Sequence, residues 1–124
     1  MCLLRCFVPP VTNRLKYEMW TFNDMVPGPM IRGRVGDVVE LTLKNTDQSG
    51  NPHNIDCHAF EGPGGGAPIT TAQMNESKTA RFKLLYPGLY VYHCAAVRNE
   101  TKNKPNCYAN WLSVFLCLAK LVRC

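Results

Sequence analysis

The chain has 124 residues, which is enough for one domain with one hydrophobic core and too few for a second domain of ordinary size. Hydrophobic residues make up 46% and charged residues 19%, with nine Gly and nine Pro, so the composition argues against disorder, collagen and coiled coil and favours a turn-rich all-β fold. The net charge is +5, but the basic residues are scattered and no RNA-binding aromatic motif lies between them, so we expect no nucleic-acid partner.

Residues 1–14 are expected to form an N-terminal segment before the domain. Residues 1–8 contain a short apolar stretch interrupted by Arg5, so no clear secretory signal is expected there. The residues that follow run almost directly into Tyr17. We therefore expect no strand before that position.

Residues 15–96 are expected to form the domain, because short strands alternate there with Pro and Gly turns, as in a β-sandwich. The predicted strands are residues 16–22, 30–34, 38–45, 78–84 and 89–94. Period-2 alternation in these strands predicts an inward-facing set. Its members are Val39, Leu41, Leu43, Phe82 and Leu84. The run Gly64-Gly65-Gly66 lacks the following Lys-Ser/Thr of a phosphate loop and is expected to be a flexible connection.

Residues 97–124 are expected to be an atypical tail, polar at first and then apolar. Residues 111–122 show no strand-like alternation, so we expect this segment to pack poorly or to be helical. The same run is shorter than the about 20 residues of a bilayer span and contains Lys120, so no membrane span is expected.

All three histidines and two of the seven cysteines lie in two short motifs, Pro52-His53-Asn54-Ile55-Asp56-Cys57-His58 and Val91-Tyr92-His93-Cys94. Imidazole and thiolate are ligands of zinc and copper, and the Irving–Williams order favours copper. His93 and Cys94 are adjacent on a strand and point to opposite faces, so they imply two sites. An inward Cys94 can join an imidazole such as His53, and an outward His93 can join His58. The alternative is that these are structural residues around an ordinary buried thiol.

Three further motifs accompany these residues. They are Gly62-Pro63-Gly64-Gly65-Gly66, Val26-Pro27-Gly28-Pro29-Met30-Ile31-Arg32 and Pro87-Gly88-Leu89-Tyr90 before the second metal motif. Together, the motifs resemble the first cupredoxin domain of copper-containing, nitric-oxide-forming nitrite reductases, within the multicopper oxidase superfamily. The resemblance implies a Greek-key cupredoxin-like β-sandwich, incomplete here.

The resemblance implies that His53 and Cys94 bind type 1 copper and that His58 and His93 bind type 2 copper. It implies that Asp56 is catalytic, holding nitrite by a hydrogen bond and helping to deliver protons. It further implies nitrite and a small electron-donor protein as partners, a homotrimer in the family and a periplasmic location.

The chain departs from the family pattern downstream of Cys94. The family completes its type 1 site with a later His and Met, whereas here no His follows His93 and no Met follows Met74. Its third type 2 His belongs to a second domain of a neighbouring subunit, which this chain lacks. We therefore expect an incomplete form, inactive alone, whose tail is either biological or a frame error. The alternatives are a non-catalytic copper- or zinc-binding module and a metal-free remnant.

Overall fold

The computed structural model describes residues 2–7, 10–12, 15–16, 19–25, 27–97 and 115–119. These residues form ten strands, one turn of 3-10 helix and one short α-helix. The first five strands are β1 (Cys2–Phe7), β2 (Pro10–Thr12), β3 (Leu15–Lys16), β4 (Met19–Phe22) and β5 (Arg32–Gly33). They are followed by β6 (Val38–Asn45), β7 (Asp56–Cys57), the 3-10 turn Pro63–Gly66, α1 (Ala67–Thr70), β8 (Ser77–Lys83), β9 (Gly88–His93) and β10 (Phe115–Ala119).

Two four-stranded sheets make up most of the structure. The first has the order β4-β1-β6-β8 and the second has the order β5-β10-β9-β7, while β2 and β3 pair separately. Strands β6 and β8 are antiparallel from Val38↔Lys83 to Lys44↔Ser77. The prediction of an all-β, cupredoxin-like β-sandwich is confirmed.

The hydrophobic core contains residues from both sheets. Leu41, Leu43, Phe82 and Leu84 are buried, as their alternation predicted, and Val39 is partly buried against the same cluster. Phe82 stacks on Phe60 with ring centroids 3.9 Å apart. The two neighbours of Phe82 on β8 are exposed, so the alternation of the sequence corresponds directly to the two faces of the strand.

Two expectations about the ends of the chain are wrong. Strand β1 lies before Tyr17, between β4 and β6, although no strand was expected there. Strand β10 lies in the tail and pairs with both β9 and β5, although that segment was expected to pack poorly or to be helical. A short, continuously apolar run such as Phe115–Ala119 suits a strand with neighbours on both sides, and periodicity alone cannot distinguish it from a helix. The domain boundaries at 15 and 96 stay a prediction.

The glycine run is also more ordered than its composition predicted. Gly64, Gly65 and Gly66 have φ angles of 54°, 51° and 89°, in the left-handed region that favours glycine. They belong to the 3-10 turn that precedes α1, and Gly66 is buried. The segment is a tight turn against the sandwich and not the flexible connection that the sequence indicated.

Candidate metal centre

Strands β7 and β9 position the first group of candidate ligands. Their antiparallel register places Asp56 opposite His93 and Cys57 opposite Tyr92. Cys57 and Tyr92 are buried in the core, so Asp56 and His93 occupy the other face of the sheet. His58 follows β7 directly, and its backbone N–H donates a hydrogen bond to the carbonyl of Val91. The sequence prediction that His58 and His93 share the outward face agrees with this geometry.

The three side chains converge at the surface. The Nε2 atoms of His58 and His93 lie 3.3 Å apart, and each lies 4.0 Å from a carboxylate oxygen of Asp56. Two nitrogens bound about 2.0 Å from one tetrahedral metal ion are separated by about 3.3 Å. The two imidazoles therefore fit a common metal ion. We call them the imidazole pair.

The second group lies on the other side of the end of β9. His53 is buried, and its backbone pairs with Ala72 through two hydrogen bonds. Its Nδ1 lies 3.6 Å from the Sγ of Cys94. A sulfur at about 2.3 Å and a nitrogen at about 2.0 Å from one tetrahedral ion are separated by about 3.5 Å, close to the observed distance. These two residues, the thiol pair, also fit a common ion, as the opposite orientations of His93 and Cys94 predicted.

Asp47 is a functional candidate that the sequence analysis missed. Its carboxylate is buried and lies 2.9 Å from Nε2 of His53, the ring nitrogen opposite the thiol. The backbone N–H and the hydroxyl of Ser49 also donate hydrogen bonds to this carboxylate. A carboxylate on one imidazole nitrogen orients the ring and fixes which nitrogen is free to bind metal. The only available signal was an Asp in a turn six residues before His53, which is too common to interpret.

Asn54 also helps to hold the thiol of Cys94 in place. Its backbone N–H lies 3.5 Å from the Sγ of Cys94. Its side-chain Oδ1 accepts a hydrogen bond of 2.7 Å from the backbone N–H of Ala95. The sequence analysis expected Cys94 to point into the sandwich, but this residue follows β9 directly and is exposed as a whole. The contacts with His53 and Asn54 cover its sulfur and hold it beyond the end of the strand.

The protonation of His53 and that of Cys94 affect each other through their hydrogen bond. Burial of the His53 ring favours its neutral form, but the hydrogen bonds to Asp47 and Cys94 outweigh this and raise its pKa to about 9. Burial opposes ionisation of Cys94, yet the hydrogen bonds from His53 and from two backbone N–H groups leave the pKa of the thiol below its usual value. The pKa of Asp47 is also lowered, because its hydrogen bonds with His53 and Ser49 outweigh the effect of burial. In the metal-free chain these hydrogen bonds favour a protonated His53 between the carboxylate of Asp47 and the sulfur of Cys94.

The comparisons with known proteins agree with this donor chemistry. A copper-containing nitrite reductase of Neisseria gonorrhoeae is 51% identical over 81 residues, which cover 65% of this chain and 21% of that protein. The solved structure of a Cu-containing nitrite reductase from Thermus scotoductus SA-01 is 30% identical, with a TM-score of 0.65 over 76% of this chain and 21% of that one. The copper nitrite reductase of Nitrosomonas europaea is 33% identical, with a TM-score of 0.62 over 76% of this chain and 34% of that one.

The chain spans about a fifth of the length of the curated relatives that it matches. In the part of the chain that the structure describes, no helix is long and apolar enough to cross a membrane. The family model for multicopper oxidases matches residues 9–104, which include both donor pairs and Asp56. The chain resembles the N-terminal domain of copper nitrite reductases in an incomplete form, and it belongs to the multicopper oxidase family.

Proposed function

We propose that this chain is the ligand-bearing part of the first domain of a copper-containing nitrite reductase. His53 and Cys94 would hold type 1 copper, and His58 and His93 would hold type 2 copper. One observation supports this most strongly. The adjacent residues His93 and Cys94 each meet a different imidazole, at 3.3 Å and 3.6 Å, so two donor pairs lie on opposite sides of one strand end. A covalent path of one peptide bond then joins the two sites.

Copper bound at these pairs supplies one-electron redox chemistry at the thiol pair and Lewis-acid polarisation of nitrite at the imidazole pair. Asp56 is placed to act on a ligand held there, because its carboxylate lies 4.0 Å from both imidazoles and is partly exposed. From this position it can hold a protonated oxygen of the ligand and return a proton to it. That is the catalytic role we propose for Asp56.

The remaining features of the complete enzyme also belong to this proposal. They are nitrite as substrate, a small electron-donor protein as partner, assembly as a homotrimer and a periplasmic location. Each donor pair contributes only two protein ligands, whereas catalytic metal sites of this kind generally use three. We expect the chain alone to form no nitric oxide from nitrite. The names of the relatives favour this function over a non-catalytic metal-binding module or a metal-free remnant.

A chimera tests the proposal. Residues 1–96 of this chain would be joined to the remainder of the Neisseria gonorrhoeae relative, loaded with copper and supplied with nitrite and an artificial electron donor. We expect nitric oxide from the chimera and none from the chain alone. The matched controls are His58→Ala and Asp56→Asn in the chimera. A chimera that binds copper at both sites and forms no nitric oxide would overturn the assignment.

A further inference from the structure

The glycine turn after β7 passes directly beside the candidate catalytic carboxylate. Gly65 is the middle residue of three consecutive glycines with positive φ. A Cβ placed on Gly65 would overlap Oδ1 of Asp56 and would lie 2.6 Å from the carbonyl oxygen and 2.7 Å from the nitrogen of Cys57. Real Cβ atoms do not approach other atoms so closely. The Asp56 carboxylate therefore occupies the space in which a side chain at position 65 would lie.

The turn cannot simply move away from β7 to make room. A Cβ on the next residue, Gly66, would lie 2.6 and 2.7 Å from two ring carbons of Phe82. Phe82 is buried in the core and stacked on Phe60. The glycine backbone is thus held between the core on one side and strand β7 on the other, and cores resist displacement because they are close-packed.

The carboxylate is the part of this arrangement that can yield. Asp56 is half-buried, and its Oδ1 is the end of a side chain that rotates about two bonds, whereas Cys57 contacts Gly65 through backbone atoms of the β7–β9 pair. A methyl group at position 65 would turn the carboxylate away from its present position between His58 and His93. The distances of 4.0 Å that join Asp56 to the imidazole pair depend on this space.

We propose that Gly65 is a positioning residue, which acts through Asp56 by reserving the space that keeps the carboxylate beside the imidazole pair. The inference rests on the proposed function for the catalytic role of Asp56, whereas the contact between Gly65 and Asp56 does not depend on it. The same turn supplies a matched control. Gly64 has nearly the same φ, 54° against 51°, and a Cβ on it would make only ordinary contacts of 3.6 and 3.7 Å. Gly64→Ala and Gly65→Ala therefore share the backbone strain and differ in the contacts with Asp56 and with the backbone of Cys57.

The experiment measures Cu²⁺ affinity of the full chain with Cys94→Ser in every variant, so that the thiol pair no longer contributes to binding. The variants are Gly65→Ala, Gly64→Ala, Asp56→Ala and the double variant of positions 56 and 65. We expect Gly65→Ala to lose roughly tenfold in affinity, as changes just outside the ligands commonly do, and Gly64→Ala to stay within about twofold of its parent. In the Asp56→Ala background, Gly65→Ala should cause a clearly smaller loss, because only the overlap with the backbone of Cys57 remains.

The metal-free proteins supply a second measurement. The carboxyl carbon resonance of Asp56 should shift in Gly65→Ala and stay in place in Gly64→Ala. Equal effects of the two glycine variants would overturn the inference, as would a loss in Gly65→Ala that is undiminished in the Asp56→Ala background. If Gly65→Ala does not fold, greater stability of the double variant than of Gly65→Ala supports the inference, and equal instability of the two overturns it. A parent that binds Cu²⁺ no better than its His58→Ala variant would refute the metal site, and the resonance of Asp56 would still decide the role of Gly65.

Discussion

The thiol pair and the imidazole pair contain the adjacent residues Cys94 and His93 at the end of β9, yet the chain holds the two pairs in different ways. His53 is buried, and its ring packs against Trp20 in a T-shaped arrangement with the ring centroids 5.1 Å apart. Both of its ring nitrogens have partners. The side chain of His58 is 55% exposed, and its partners are another imidazole and a carboxylate at 4.0 Å. One site is rigid before metal arrives, and the other is open to solvent.

This difference suits two kinds of chemistry. An electron-transfer metal needs fixed ligands, and the buried carboxylate of Asp47 together with the backbone around Asn54 supplies that rigidity. A site that binds and releases a small anion needs an open face, with a proton donor close to it but not bound to both imidazoles. The imidazole pair beside Asp56 meets that requirement, because His58 is exposed and His93 is partly exposed. The following predictions test whether the two pairs are independent and whether their supports differ as described.

The largest expected effect is that each of two variants loses metal at one donor pair and keeps it at the other. Cys94→Ser should remove the thiolate-to-cobalt absorption of the thiol pair in the Co²⁺-loaded chain, because its Sγ lies 3.6 Å from Nδ1 of His53, while leaving Cu²⁺ binding at the imidazole pair unchanged. His58→Ala should lower Cu²⁺ affinity at the imidazole pair by about 100-fold, since one of two imidazoles is lost, and should leave the cobalt band intact. The other six cysteines are retained in both variants, so any difference belongs to Cys94. Loss of both signals in either variant would show one shared site.

The next effect concerns the two carboxylates. Asp47→Ala should destabilise the metal-free chain by about 3 kcal/mol, because it removes a buried partner from a charged imidazole. Asp56→Ala should change stability by less than about 0.5 kcal/mol, because that carboxylate is partly exposed and 4.0 Å from its neighbours. Urea denaturation of the three proteins at pH 7 measures both values. Similar losses in the two variants would contradict the division into a rigid and an open site.

Asn54 should matter only to the thiol pair. Asn54→Ala leaves the backbone N–H of Ala95 without its side-chain acceptor and frees the segment that carries Cys94. We expect a loss of about 1 to 2 kcal/mol in stability and roughly tenfold weaker Co²⁺ binding at the thiol pair. Cu²⁺ affinity at the imidazole pair is the internal control and should not change. A weakening of equal size at both pairs would show that Asn54 supports the whole strand end.

The sequence was sufficient where a local rule determines the structure. Strict alternation identified β6 as residues 38–45 and correctly placed Leu41, Leu43 and Phe82 in the core. The same two-residue period indicated that His93 and Cys94 point in opposite directions, and the two residues do meet different imidazoles. These predictions succeeded because the direction of a side chain on a strand depends only on its position.

The sequence was insufficient where the structure depends on distant partners. Asp47 contacts His53 only because the turn from Asn45 brings the carboxylate back over the ring, through hydrogen bonds that Asn45 makes to Asn51 and Ala72. Strand β10 exists because β5 and β9 flank it, which its uniformly apolar sequence does not reveal. The role of Gly65 depends on a strand that lies outside the glycine motif. Each of these features requires tertiary contacts that no local pattern encodes.

The smallest expected effect is a pH dependence that belongs to the thiol pair. The pKa of His53 is raised from 6.5 to about 9, so its contribution to the folding free energy is complete below about pH 6.5 and is lost as the pH rises through about 9. The lowered pKa of Asp47 contributes stability above its ordinary value of 3.8, so both contributions are present at pH 6. The lowered pKa of the Cys94 thiol acts in the opposite direction near pH 9 and partly cancels the loss.

Asp47→Asn isolates this effect, because it removes the charge that stabilises the His53 imidazolium and preserves the shape of the side chain. We expect the difference in unfolding free energy between the parent and this variant to be largest at pH 6 and to shrink by about 1 kcal/mol by pH 9. Urea denaturation of the metal-free proteins at the two pH values measures it, and an NMR titration of the three imidazoles assigns it to His53. Asp56→Asn, the matched change beside the imidazole pair, should show no comparable shrinkage. A difference that stays constant or widens between pH 6 and pH 9 would contradict the charged triad of Asp47, His53 and Cys94.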